Sequence, residues 1–228
     1  PRSQELAGDL MGAGSEARVE ALASYVQDSF TYTGIAFGHR AWLPNRAEDI
    51  IRNRYGDCKD HSLLFYHLLR AADVPAHLAL VNVSADIQTE IPSLDQFDHM
   101  IVFAPTYDGG HFFDLTDKNH DISKLPPMGL GGKRALVLDP AGPSLVEIPD
   151  YPLGSSTVTS DRTLRVIGES DIEVEETLTL SGYYSAYMRS FLKGSDSAGR
   201  LRQIQDVMAG SAQVLVRNVD AERLDAPN

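Results

Sequence analysis

The chain has 228 residues, 43% of them apolar, enough for one large domain or two modest ones with a filled core, and too apolar for a mainly disordered protein. Its 32 acidic and 20 basic side chains leave a net charge of −12, which repels phosphate backbones and anionic membrane surfaces and argues against nucleic-acid binding as the main task. No run reaches the roughly 18 to 20 apolar residues that a membrane span requires.

The chain opens at "PRSQEL" with no basic-then-apolar leader, so it reads as a cut piece whose targeting signal, if it has one, lies elsewhere. In "SEARVEALASYVQDSF", Val19, Leu22, Ala23, Val26 and Phe30 recur at helical spacing, predicting an amphipathic helix over about 16–30 with Ser15 as its N-cap. A loop containing glycine and aromatics follows. "NRAEDIIRNRY" then predicts a short helix, with Asn45 and Glu48 at capping-box spacing and Ile50 and Ile51 pointing inward. A third helix starts near Cys58, buries Leu64, Phe65, Leu68, Leu69 and Ala72, and stops before Val74 and Pro75, because proline disfavours helix in its predecessor.

Beyond Pro75 the runs "AHLALVNV", "DHMIVFAP", "HFFDL" and "RALVLD" are short and β-rich, predicting an antiparallel sheet interrupted by two loops, "SADIQTEIPSLDQF" and "DKNHDISKLPPMGLGGK". Turn-rich composition at "DYPLGSSTV" places a boundary near 150–160. "RTLRVIG" and "DIEVEETLTLSG" then predict a hairpin, and the tail predicts two helices broken at Gly194. The organisation read from this is 1–152 as a core and 153–228 as an extension.

Cys58 is the chain's single cysteine, so it can form neither an internal disulfide nor the paired thiolates of a structural zinc site. Either it packs as a small hydrophobe or it reacts. At a helix N-terminus it faces free backbone N–H groups and the positive end of the helix dipole, which favour thiolate and can hold an oxyanion. Gly56 would let the backbone approach a substrate closely, and Asp57 or Asp60 could cap the helix.

A thiol nucleophile needs a base, and the base needs an orienting acceptor. His61 and His67 share the Cys58 helix, but His61 would have to bend back toward its start. His39 and His120 lie in loops without a partner pattern. His99 opens one predicted strand, and Asp114 lies 15 residues later in the next, so a turn near "TYDGG" could set imidazole beside carboxylate. Each alone has an ordinary alternative, a solvated strand-end histidine or a turn aspartate.

Taken together, "RYGDCKDHSLLFYHLLRAADVPAHLALVNV", "QFDHMIVF", "FFDLTD" and "GKRALVLDP" resemble the transglutaminase-like core of bacterial proteins of the domain-of-unknown-function 3857 type, over about residues 16–150. The resemblance implies an α+β, papain-like fold with a β-rich C-terminal segment that is the start of a second domain. It also implies Cys58 as nucleophile, His99 as base and Asp114 as orienter. Where the family often has Asp-Pro-Thr, this chain has Leu115, Thr116 and Asp117 after Asp114. The upstream oxyanion donor is unmarked, with Trp42 and Tyr55 as candidates and Gly56 as a close-approach position.

The activity implied is thiol-dependent acyl transfer on amide bonds through an acyl-thioester, ending in hydrolysis or in transfer to an amine. The alternative is a catalytically silent binding or scaffold module at the cell envelope. No cofactor or metal is expected: Asp114, Asp117, His120 and Asp121 read as a solvated loop, and no run matches an EF-hand. The expected partner is a protein or peptide substrate. A periplasmic or otherwise exported location is expected from related architectures, while a cytoplasmic protein would look the same.

Overall fold

The computed structural model describes residues 14–34, 42–209 and 213–225; His39 lies outside them. The chain divides into two compact units, one running to Lys118 and resuming over Ile122–Tyr151, the other comprising Asn119–Asp121 and everything from Pro152 onward.

In the first unit α1 (Ser15–Ser29) buries Val19, Leu22, Ala23 and Val26, as its spacing predicts. Its N-cap is Gly14 with no side-chain bond, not Ser15, which is the first helical residue. After β1 (Thr31–Tyr32) comes α2 (Ala47–Asn53), capped by Arg46 without a side-chain bond. The Asn45–Glu48 capping box expected there does not form, because Asn45 is committed elsewhere. Arg54 ends α2 in the left-handed region, φ 61°, with its N–H bonded to the Ile50 carbonyl. Its own carbonyl accepts the Thr31 N–H at 2.9 Å, and this starts the parallel pairing of β1 with β2 (Tyr55–Gly56).

Helix α3 (Cys58–Ala71) buries Leu64, Phe65, Leu68 and Leu69 and ends ahead of Pro75. It packs on a five-stranded sheet of order β5-β4-β3-β6-β7, antiparallel at every pairing, built from β3 (His77–Val81), β4 (His99–Ala104), β5 (His111–Phe113), β6 (Arg134–Val137) and β7 (Ser144–Glu147). β7 and the two-residue β1 and β2 are additions to the strands predicted.

One core joins α1 and α3 to Val102, Ala104 and Phe113 of the sheet; a second joins Ala79, Val81, Ile101, Phe112, Ala135 and Val137 to Leu130 and Ile148. Phe65 meets Phe113 edge to face at 5.4 Å. Burying a phenylalanine of this kind contributes about 1.5 to 3 kcal/mol, so this pair and its neighbours fix where α3 lies on the sheet.

The second unit has a ten-pair hairpin, β8 (Val158–Ile167) with β9 (Asp171–Leu180), then α4 (Gly182–Leu192) and α5 (Ser197–Ala209). Gly194 sits between these helices at φ 88°. Among the described residues no helix is long and apolar enough to cross a membrane.

Candidate active site

The site begins with the cap of α3. The Asp57 carboxylate accepts the N–H groups of Lys59, at 3.0 Å, and Asp60, at 3.3 Å, while Asp60 accepts the Asp57 N–H at 3.3 Å, completing a capping box. The Lys59 ammonium closes on the other Asp57 oxygen at 2.5 Å. These bonds use two of the N–H groups of the first turn, and the Asp57 carbonyl accepts that of His61. The Cys58 N–H, between them, carries none of these bonds and stays available to a substrate oxygen.

Asp60 is 2% exposed yet fully engaged, because the Asn45 N–H at 2.6 Å and Asn45 Nδ2 at 2.9 Å also bond to it. This ties the loop of Trp42 to the helix start. A Cβ on residue 56 would lie 2.4 Å from the Asp60 Cβ, so the backbone before Cys58 requires glycine. Gly56 is thus needed by the cap itself, whatever it does for a substrate.

The second half of the site comes from the sheet. The Ser62 hydroxyl, buried one turn beyond Cys58, donates to the Met100 carbonyl at 2.8 Å. That bond fixes α3 against the strand whose first residue is His99. His99 Nε2 lies 2.7 Å from Asp114 Oδ2, with both side chains 13% exposed. The strand ends at Phe113, the register partner of Val102, so Asp114 is the first residue after β5 and not a residue within it. Its other oxygen accepts the Thr116 N–H at 3.0 Å and the Thr116 hydroxyl at 2.7 Å. Cys58 acts on the same ring, raising the His99 pKa together with Asp114. With Nε2 on Asp114, the nitrogen left for sulfur is Nδ1.

These contacts set the charges. Burial alone would lower the His99 pKa, but the hydrogen bonds to Asp114 and Cys58, with their negative charges, outweigh it and raise it to about 10. Burial would raise that of Asp114, yet the bond to His99, its charge and the two Thr116 bonds bring it below the ordinary carboxylate value. The resting imidazole therefore carries its proton at neutral pH.

Of the tentative oxyanion residues, Trp42 is 57% and Tyr55 45% exposed, Tyr55 paired with Thr31 across β1 and β2. The aromatic side chain that senses the site is Tyr32, which the sequence reading missed. It is in register with Gly56, and burial followed by the charges of Cys58, Asp57 and Asp114 raises its ionisation above the ordinary tyrosine range. Its phenol thus keeps its proton and remains a donor. Ser62, Thr116 and Asn45 were missed as well: Ser62 and Asn45 act through bonds to residues distant in sequence, and Thr116 through a side-chain bond to Asp114, two residues before it. Among the described residues, no group of three or more His, Cys, Asp or Glu side chains is arranged to hold a metal ion.

Residues 4–111 match the family model of the transglutaminase-like superfamily. A solved candidate protease from Parabacteroides distasonis ATCC 8503 superposes with a TM-score of 0.53 at 18% identity, over 67% of this chain and 28% of its own. A candidate cysteine protease from Cytophaga hutchinsonii gives 0.38 at 18% identity, over 79% and 50%, and adds nothing to the argument at that score. Among curated proteins, the NADH-dependent FMN reductase SfnF of Pseudomonas fluorescens (strain Pf0-1) is 30% identical over 118 residues, 46% of this chain and 63% of that protein. The chain thus spans less than two thirds of each of these relatives. The family-model match over residues 4–111 and the helix-on-antiparallel-sheet architecture are together consistent with a transglutaminase-like, papain-like α+β fold.

Proposed function

We propose that the first unit is a thiol-dependent enzyme that cleaves or transfers acyl groups from amide bonds, with Cys58 as nucleophile, His99 as acid and base, and Asp114 as the orienting carboxylate. The observation that carries this is His99, held by Asp114 at 2.7 Å on one nitrogen, with the pKa of the ring raised by Asp114 and Cys58. The chemistry starts from the thiolate–imidazolium form of the pair. The sulfur attacks the amide carbonyl, forming a C–S bond, and the free Cys58 N–H meets the developing oxyanion. Tyr32 is better placed than Trp42 or Tyr55 to add a second donor.

His99 then gives its proton to the leaving amine, the C–N bond breaks, and an acyl-thioester remains on Cys58. The neutral imidazole takes a proton from the incoming nucleophile, which attacks the thioester and releases the thiolate. Water gives hydrolysis and a lysine amine gives a crosslink. Hydrolysis is favoured, because water at about 55 M reaches an open cleft and an amine must outcompete it through proximity. The substrate is a protein or peptide, and no cofactor enters any step.

NADH-dependent reduction of FMN, the activity in the name of the Pseudomonas relative, draws no support from this sheet. Nucleotide clefts of open α/β folds lie beyond the carboxyl ends of parallel strands, and here every pairing of the five-stranded sheet is antiparallel.

The test is the rate of Cys58 alkylation by iodoacetamide from about pH 4 to 10, in the native protein and in His99→Ala, followed by turnover of glutamine-containing peptides. Rapid alkylation of Cys58 that is lost with His99 is the expected result. An ordinary thiol indifferent to His99 would overturn the enzyme reading and leave a binding module on the same fold.

A further inference from the structure

His61 is a second imidazole one turn from Cys58, 1% exposed, which the proposed mechanism does not use. Its Nδ1 lies 2.9 Å from the Asp57 carbonyl oxygen. A carbonyl only accepts, so Nδ1 carries the hydrogen and Nε2 is a bare acceptor in the neutral ring. Nε2 is buried and has no hydrogen-bond partner among the described residues. An acceptor buried without a partner is costly, so a donor is called for.

Two aromatic rings stand against the imidazole. Phe30 meets it edge-on at 6.5 Å between centroids and offers no polar hydrogen. Tyr32 lies at 6.1 Å, tilted by 49°, and carries a phenol O–H that it retains beside the charges of Cys58 and Asp114. Of the two rings, only Tyr32 offers a donor for Nε2.

We propose that His61 is a positioning residue for Tyr32: its Nε2 accepts the phenol hydroxyl and holds the ring at the edge of the Cys58 site, oriented by the Asp57 carbonyl on its other nitrogen. The cap of α3 then sets both the thiol and, through His61, the phenol facing it. When a substrate oxyanion forms, it draws the hydroxyl hydrogen from His61, because a charged acceptor makes a bond about twice as strong as a neutral one. The catalytic consequence rests on the thiol reading above; the Tyr32–His61 bond does not.

The experiment uses the whole protein with tyrosine isotope-labelled at Cζ and histidine labelled at its ring nitrogens, the Tyr32 signal being the one lost in Tyr32→Phe. His61→Phe should move the Tyr32 Cζ resonance, and Tyr32→Phe, on a half-exposed position that does not threaten folding, should move the His61 Nε2 resonance. Both single variants should slow acylation by a peptide substrate about tenfold, the worth of one hydrogen bond, and the double variant no further. Three results would overturn the proposal: resonances indifferent to the partner substitution, an Nε2 that carries the hydrogen, or losses that multiply to about a hundredfold. Should His61→Phe fail to fold, the Tyr32→Phe nitrogen spectrum decides alone. Iodoacetamide alkylation in His99→Ala separates failure of the thiol reading from failure of this one.

Discussion

Strand β4 and the β8–β9 hairpin are both antiparallel and fully laddered, yet they differ in what covers them. Ile101, Val102 and Ala104 of β4 are 0% exposed, whereas no residue of the hairpin is buried, although its ten pairs form the longest ladder described. Backbone hydrogen bonds alone contribute little net stability, and a lone two-stranded ribbon is marginal in water. Packing on both faces holds β4 rigid enough to aim an imidazole. That difference explains why the titratable pair sits where β4 begins and β5 ends, while the hairpin carries solvent-exposed partners such as Arg162 with Glu176 and Arg165 with Glu173.

Glycine substitutions give the largest expected contrast between the regions. At Gly56 an added Cβ meets Asp60 atoms at 2.4 and 2.7 Å, so Gly56→Ala must displace a buried carboxylate that holds the helix cap and Asn45. The expected loss is about 3 kcal/mol or more, with Cys58 alkylation slowed in parallel. In the hairpin turn Gly168 has φ 67° and nothing within 4 Å of a Cβ, so Gly168→Ala meets only the left-handed backbone penalty of about 1 kcal/mol. Urea unfolding of the two variants checks the order. Equal losses would mean that the cap is not under the crowding described.

Asp114→Asn gives the next effect, read through pH. The His99 pKa is raised from 6.5 to about 10, so its contribution is complete below 6.5 and is lost as pH rises through about 10. That of Asp114 is lowered from 3.8, so its contribution is present above that value and is lost as pH falls through the depressed one. Stability of the native protein should therefore hold between these limits and decline on the alkaline side. Asp114→Asn should flatten that alkaline decline, by an amount on the order of 2 kcal/mol, and slow acylation about a hundredfold by releasing the imidazole. A decline of the same steepness in the variant would detach the titration from this pair.

Much of this was legible because the informative contacts are local or follow from strand order. The helical spacing from Leu64 to Ala72, Pro75 beyond it and the acidic residues around Cys58 mark where α3 starts and stops. His99 and Asp114 are 15 residues apart across one turn, so a predicted hairpin brings them close. Most of the misreadings turn on partners that no local pattern displays. Asn45 has capping-box spacing to Glu48, but the buried Asp60 carboxylate competes for its side chain and its N–H, and a pattern within one helix cannot show that rival. Tyr32 stands in a two-residue strand whose pairing depends on the Arg54 carbonyl, too short to leave an alternating pattern. Ser62 looks like an ordinary polar residue until its partner Met100 is brought beside it.

The smallest expected effect tests the comparison itself. On one face of the hairpin Val158, Leu164 and Val166 pair with Leu180, Val174 and Ile172, so the alternation that normally marks a buried face is present. Val166 is nevertheless 75% exposed. If burial and not the alternation sets the energy, Val166→Ala should change unfolding free energy by no more than about 0.5 kcal/mol, while Ile101→Ala, at 0% exposed, should cost about 2 to 4 kcal/mol. β-propensity contributes to both positions, but its whole range is about 1 kcal/mol, so it cannot close that gap. A cost at Val166 approaching that at Ile101 would mean that the apolar face is covered in solution. The hairpin would then hold its place by the same means as β4, and the division between a packed sheet that holds the His99–Asp114 pair and an uncovered ribbon would fail.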